Sequence, residues 1–390
     1  MMKFRTLPLS KVKRGERILV RIDANIPLHK GRIPAGGAWR LEKVVDDIRA
    51  LSKRGAIVIV CAHFGRPGGK RVDELSAAPA VRWFNRIGKV KMLLAPGVAG
   101  PEVNDFVDDA RSGDVIILEN LRFDPREREN DKTFASELAS LADIYINDAF
   151  ANSHRKHASM HAITKLLPSY AGRLVVEEVK ALSVKQKKKF VLVMGGMKLA
   201  TKMPVLERLA PTADVILTGG GLALTLEAAR ERRALKINGK EIDPAELKLA
   251  RHALKLFSGK MVLPIDVIVR NEEDTRVLWA DEVDPGDAII DIGPKTRDQY
   301  AQHIDGANTV IWNGTMGIVE ESVAQAGTIA IARSISEQEK AVTILGGGDT
   351  VSFLRKKKLA TGFTHLSTGG GAMLVFLAGD SMPGLEVLKK

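Results

Sequence analysis

The sequence predicts an α/β protein with two parallel-sheet domains, and three observations carry that expectation. β-branched, strand-like runs alternate with helical patterns along nearly all of its 390 residues. Those runs are apolar throughout rather than alternating, as expected of strands covered by helices on both faces. A chain of this length also exceeds what one hydrophobic core usually serves.

In the first half, residues 17–23 (RILVRID) read as a strand. Residues 39–55 read as a helix, with Leu41, Val44, Val45, Ile48 and Leu51 on one face and Gly55 as its stop. Strands follow at 56–63, 114–120 and 143–148, with helices at 78–88 and 131–142. The second half has the same rhythm, in which FVLVMG, DVILTG, MVLPIDVIV, AIIDIG, TVIWNG and AVTILGG alternate with helical segments. The architecture repeats, but no sequence unit of fixed period does. Between the halves, Pro168 ends one helix and residues 173–182 form another, which suits a connector and hinge. The final MPGLEVLKK reads as a tail returning to the first domain. The expected division is 1–170 with a tail at 376–390, a helical hinge at 171–184, and a second domain at 185–375.

The formal charge of +12 favours anionic partners. The basic residues are spread along the chain, with short runs only at 185–189 and 355–358, which read as solvated faces. Three Tyr and four Trp leave few platforms for stacking bases, against a single-stranded nucleic-acid partner. The longest apolar stretch, 372–378, is far too short for a bilayer span, and the first residues lack a signal-peptide core. The expectation is a cytoplasmic protein with neither membrane nor nucleic-acid partner. One cysteine, Cys61, excludes an intrachain disulfide and a cysteine-cluster metal site; its apolar neighbours place it in a core strand.

Ligands of open α/β sheets bind beyond the carboxyl ends of the strands, where the notable polar residues fall. Asp23 and Asn25 follow the first strand in RIDANIP, with Pro27 fixing the exit; these are also common turn formers. AHFGRP sets His63 and Arg66 on a turn, ENLRF adds Arg122, and NDAFANSHRKH adds His154, Arg155 and His157. With Arg21 and Arg40, these make a set suited to a small phosphate or carboxylate anion. His154 and His157 are three apart, but no HExxH pattern accompanies them, and no GxSxG elbow occurs.

The second half carries four glycine clusters, each after a strand-like run and before a helical one: VLVMGG, VILTGGG, VTILGGGDT and THLSTGGG. Glycine lets backbone N–H groups approach an anion, and a helix start adds positive potential, so the clusters suit a polyphosphate. GGMKLATKM is expected to open a helix with Lys198 and Lys202 one turn apart. Asp349 could ligate Mg²⁺ beside phosphates or simply cap its helix. Neither GxxxxGK[ST] nor GxGxxG is present.

Together, RIDANIP, AHFGRP, VIILENLRF, YINDAFANSHRKHAS, VMGGMKLATK, LPIDV, IDIGP, VIWNGTMGIVE, ILGGGDT and HLSTGGGA resemble the phosphoglycerate kinase family, in its order, from residue 21 to 372. The resemblance implies two doubly wound domains facing a cleft and joined by a helical hinge, and a monomer. It implies that 3-phosphoglycerate or 1,3-bisphosphoglycerate is held by Asp23, Asn25, Arg40, His63, Arg66, Arg122 and Arg155. Mg-ADP or Mg-ATP would be held by Gly196, Lys198, Lys202, Gly220, Gly221, Asn313, Gly317, Glu320, Gly348, Asp349 and Thr350, with Asp349 the magnesium ligand. Arg40, Lys198, Gly370 and Gly371 would act on the transferring phosphoryl group. The chain departs from the family at Thr315, where Pro is usual, and at Met197, where Ala is common. Another acyl-phosphate-forming carboxylate kinase would share the chemistry without needing this arginine set. A basic nucleic-acid-binding protein would share only the charge.

Overall fold

The computed structural model describes residues 2–390 except 27, 29–31, 35–36, 233–235, 238–239, 258, 272–273 and 285. The exit residue Pro27 and part of the segment before Arg40 thus lie outside the described residues. The chain divides into two compact units, Met1–Ser183 with Ser381–Lys390, and Val184–Asp380.

The first unit is a six-stranded sheet of β1 (Arg17–Ile22), β2 (Ile57–Cys61), β3 (Met92–Leu94), β4 (Val115–Ile117), β5 (Ile144–Asp148) and β6 (Ser169–Ala171), in the order β3-β4-β2-β1-β5-β6. Every pairing is parallel. Side chains alternate across a strand, so β1 supplies both faces: Ile18, Val20 and Ile22 enter one core, Leu19 the other. Helices α1 (Trp39–Lys53), α2 (Ala78–Arg86), α3 (Pro101–Asp108), α4 (Lys132–Ala139) and α5 (Arg173–Leu182) are linked to these strands. The five apolar positions of α1 named above are all buried, and Gly55 leaves it at φ +85°. The helix expected before Pro168 is only a 3₁₀ turn, Ala162–Lys165, because β6 begins directly after it. In the closing segment, α13 (Pro383–Glu386) is fastened by Asn147, whose Nδ2 donates to the Gly384 carbonyl at 3.0 Å.

The main sheet of the second unit comprises β7 (Phe190–Met194), β8 (Val215–Thr218), β11 (Met261–Val262), β15 (Thr309–Asn313), β16 (Val342–Gly346) and β17 (His365–Leu366), in the order β11-β8-β7-β15-β16-β17. All its pairings are parallel. Its helices are α6 (Met203–Leu209), α7 (Gly220–Glu231), α8 (Pro244–Phe257), α9 (Pro294–Ile304), α10 (Ala326–Ser336), α11 (Gly348–Lys356) and α12 (Gly371–Ala378), and β9 (Lys236–Ile237) and β10 (Lys240–Glu241) form a hairpin.

The structure departs from expectation at two strands. MVLPIDVIV is not one strand: β11 ends at Val262, and the chain leaves the sheet at Pro264, which has no N–H for a ladder. It re-enters as β12 (Asp266–Arg270), in a separate antiparallel sheet between β13 (Thr275–Trp279) and β14 (Ala288–Ile292). AIIDIG therefore belongs to this small sheet, not the parallel one.

Asp266 joins the small sheet to α9. Its Oδ1 accepts from Thr296 N and Thr296 Oγ1, both at 2.7 Å, and Oδ2 from Lys295 N at 3.0 Å. Asp266→Ala would strand these buried donors, costing roughly 2–3 kcal/mol. Calorimetry should show the second unit melting earlier and the first unit unchanged; an unshifted transition would remove Asp266 from that role.

Candidate functional site

At the carboxyl edge of the first unit's sheet, the loops after β1, β2, β4 and β5 converge. The fully buried Asn120 orders two of them: its Oδ1 accepts from Phe64 N and Arg122 N, both at 3.1 Å, and its Nδ2 donates to the carbonyls of Phe64 and Leu75. Asn25 Oδ1 accepts from Gly65 N at 2.9 Å. From the first turn of α1, Arg40 pairs with the buried Asp23 at 3.2 Å and donates to the Asn25 carbonyl at 2.6 Å. Its Nε is buried without an acceptor among the described residues. Arg122 donates to the Gly65 carbonyl at 2.8 Å. Arg155 Nε lies 3.1 Å from His154 Nε2, and Arg66 is exposed.

These cations are close enough to disturb one another. Burial pushes the Arg122 guanidinium down to about 10, with Arg155 and Arg21 adding to the shift. Arg155 is lowered by burial and then by Arg66. The imidazoles respond in the same sense: burial and then Arg21 hold His63 well below its ordinary value and take His157 down to about 3. Burial and Arg155 put His154 at about 4. Neutral histidines among crowded guanidiniums form a site short of negative charge. All seven expected residues of this half meet here.

Sequence reasoning counted Arg21 in the anion set without saying how it is held. It passed over Glu127, Ser159 and Arg128, the last a further cation acting on Arg122, Arg155 and His157. Arg21 is only 1% exposed, its Nε donates to Ser159 Oγ at 3.1 Å, and its Nη2 lies 3.1 Å from His63 Nδ1. An arginine inside the apolar strand RILVRI was the available signal.

The second unit holds a cavity of about 430 Å³. Gly196, Lys202, Gly220, Gly221, Asn313, Gly317, Glu320, Gly348, Asp349 and Thr350 line it, as do Thr315 and Met197. Lys198, Gly370 and Gly371 are not among its lining residues. Glycine is required where the loops interlock. Gly314 has φ +95°, and a side chain there would collide with the Gly195 carbonyl; Gly220 has φ +63°, with Gly196 O 2.9 Å from any Cβ. Gly196 N donates to the Thr315 carbonyl and Gly220 N to the Met316 carbonyl. No side chain caps α7, α11 or α12. In α7, however, Gly220 N and Leu222 N are spent on the carbonyls of Met316 and Gly196, and in α12 Ala372 N is spent on the Gly369 carbonyl. The first turn of α11 is therefore the helix start best placed to offer N–H donors.

Lys198 and Lys202 do not share a helix: α6 starts at Met203, Lys202 is its N-cap, and Lys198 sits exposed in the preceding loop. Glu246 of α8 fastens that loop by accepting from Leu199 N at 2.9 Å. Lys202 is buried and bonded to Asn313 Oδ1, and burial lowers it to about 8. Asn313 Nδ2 is buried without an acceptor among the described residues.

Asp349 lies exposed in the first turn of α11, at the cavity lining. Among the described residues no group of three His, Cys, Asp or Glu could hold a metal. One carboxylate at a helix start fits a Mg²⁺ ion that takes its remaining ligands from phosphates and water. The cavity lining also has an apolar part, with Leu224, Pro264, Val267 and Ile289. Sequence reasoning missed this part because it kept MVLPIDVIV in the main sheet; Pro264 was the sign that the chain turns away.

A cluster of arginines at one sheet edge and a glycine-lined cavity with a buried lysine, on one chain, fit a phosphotransferase. The sequence model described as phosphoglycerate kinase matches residues 10–380. A phosphoglycerate kinase from Thermomicrobium roseum is 39% identical over 382 residues, covering 95% of this chain and 96% of that one. One from Granulibacter bethesdensis is 36% identical over 402 residues, covering all of both. Among solved structures, phosphoglycerate kinase from Coxiella burnetii matches with TM-score 0.79 at 32% identity, over 99% of each chain. That from Pyrococcus horikoshii matches with TM-score 0.87 at 27% identity, over 99% of this chain and 98% of that one. The chain belongs to the phosphoglycerate kinase family.

The depressed histidines have a consequence for stability. A histidine whose folded pKa lies below 6.5 stabilises fully above 6.5 and loses that contribution as pH falls toward the folded value. His157, at about 3, should therefore weaken the first unit between pH 6.5 and 4. Asp148, raised by burial to about 7, acts in the opposite sense, so the variant comparison is decisive. His157→Gln should flatten the acid limb of melting temperature against pH; an unchanged limb would contradict the assignment.

Proposed function

We propose that the first unit binds 3-phosphoglycerate or 1,3-bisphosphoglycerate and the second binds Mg-ADP or Mg-ATP, with reversible phosphoryl transfer between the acyl phosphate and ADP. The observation that supports this reading is the contrast between two sets of groups, crowded guanidiniums on one unit and, on the other, a glycine-lined cavity with a buried lysine and the uncapped start of α11. The first suits a small, multiply charged acid; the second suits a polyphosphate beside an apolar wall able to pack a base.

In the direction of acyl phosphate formation the acceptor is a carboxylate, ionised at neutral pH, so no general base is needed. Catalysis rests on positioning and on spreading charge in a loose transition state. We assign the substrate to Asp23, Asn25, Arg40, His63, Arg66, Arg122 and Arg155. Asp23 orients Arg40, whose spare Nε is a donor for the anion. Lys202 and Asn313 Nδ2 take the nucleotide phosphates, together with the N–H groups of Gly348 and Thr350. Gly196, Gly220, Gly221, Gly317 and Glu320 hold the nucleoside. Lys198, Arg40 and the N–H groups of Gly370 and Gly371 receive the transferring phosphoryl oxygens. Mg²⁺ on Asp349 would neutralise nucleotide phosphate charge when bound.

Because donor and acceptor are assigned to different units, transfer requires the units to approach, so the reading includes hinge bending. It also includes a monomeric, cytoplasmic enzyme without a nucleic-acid partner. Among the described residues no helix is long and apolar enough to cross a membrane.

A coupled assay with 3-phosphoglycerate, ATP and Mg²⁺, following NADH oxidation through glyceraldehyde-phosphate dehydrogenase, tests the reading. Turnover should vanish with chelator. Lys198→Ala should lower kcat about 10²-fold or more, the scale of one transition-state donor. A kcat within about threefold of the parent would remove Lys198 from the mechanism. A folded enzyme that binds Mg-ATP but ignores 3-phosphoglycerate would mean another carboxylate acceptor.

Lys202 gives a second test. Phosphates bind its protonated form, so nucleotide affinity should be flat below pH 8 and weaken above it, by at most about tenfold per unit. Calorimetric titration should show this slope in the parent and lose it in Lys202→Gln. A parent affinity flat through pH 9 would contradict the role.

A further inference from the structure

Beneath the guanidinium cluster runs a buried chain of four polar residues. Glu127 takes two hydrogen bonds from Ser159: the backbone N–H at 2.9 Å on Oε2 and the hydroxyl at 2.6 Å on Oε1. A hydroxyl has one proton, so Ser159 Oγ, spending it on Glu127, meets Arg21 Nε as an acceptor. Arg21 Nη1 is bonded to the Ile22 carbonyl and Nη2 reaches His63 Nδ1 at 3.1 Å. A guanidinium accepts nothing, so His63 Nδ1 is the acceptor. In a neutral imidazole the proton then sits on Nε2. Tyr145 fixes the backbone below by donating to the Ser159 carbonyl at 2.6 Å.

We propose that Glu127 and Ser159 are positioning residues: they orient Arg21, which keeps His63 in its Nε2–H tautomer as a donor for the bound substrate anion. Neither touches the substrate; each acts through Arg21. A bare imidazole nitrogen facing a phosphate or carboxylate would repel it, so the tautomer decides whether His63 aids binding. Glu127 also sets one buried carboxyl under the arginines, its pKa raised by burial and drawn back down by Arg21, with His157 Nδ1 3.7 Å from its Oε1. The inference rests on assigning the first unit to the phosphoglycerate.

The test uses the full-length protein labelled with ¹⁵N-histidine, the His63 resonances being identified by their loss in His63→Gln. The parent should show a bare Nδ1 and a protonated Nε2. Ser159→Ala should mix the tautomers and raise KM for 3-phosphoglycerate about tenfold, the worth of one hydrogen bond, leaving KM for ATP unchanged. Glu127→Gln keeps the shape while weakening the same chain and should act in the same direction; should it not fold, Ser159→Ala decides alone. A protonated Nδ1 in the parent, or an unchanged tautomer and KM in well-folded Ser159→Ala, would overturn the proposal. A purely structural role would instead lower the melting temperature and move both KM values together. A parent with the expected tautomer but no binding of 3-phosphoglycerate would sink the functional reading and leave the network standing.

Discussion

The burial and crowding of guanidiniums is the constraint on which the first unit's sheet edge depends. Arg21, Arg122 and Arg155 sit close enough that each disturbs the ionisation of its neighbours. Such a group cannot be held by flexible loops in water. It is held because each member springs from the end of a buried parallel strand or the turn after it, and because Asn120 and Asn25 bond the loops to one another. Asp23 and Glu127 offset only part of the charge. The remainder defines what the site lacks, an anion.

The second unit solves a related problem by other means. The donors that the proposed reading gives to phosphate are backbone N–H groups, those at the uncapped start of α11 above all, with Lys202 as a buried cation. Backbone donors allow loops to lie almost in contact, which explains why side chains are excluded at Gly314 and Gly220. They are also neutral, so they do not repel one another as the guanidiniums do. A long polyphosphate suits distributed dipoles; a compact acid suits concentrated charge. The two units share a sheet architecture and differ in the chemistry mounted on its edge.

Much of this was legible in the sequence. Buried parallel strands are apolar on both faces, so β1, β2, β5, β7 and β15 announce themselves, and polar residues directly after them mark the carboxyl edge. Two short elements were not legible: β3 and β6 have three residues each, and they are mixed in burial and include polar or exposed positions, unlike β4, equally short but wholly apolar and buried. The break at Pro264 was visible but outweighed by the apolar run around it, which hid both the antiparallel sheet and the cavity's apolar wall. The helix expected at Lys198 failed because periodicity cannot tell a tight loop from a first helical turn. The Arg21–Ser159–Glu127 chain joins residues 138 and 32 positions apart, and no local pattern links them.

If the cationic cluster of the first unit is completed by an anionic substrate, binding must follow the charge. The decisive measurement is calorimetric titration of 3-phosphoglycerate into the whole chain, at low and then high ionic strength. One site per chain is expected, with affinity that falls as salt screens the guanidiniums. Absence of binding, or an affinity indifferent to salt, would contradict it.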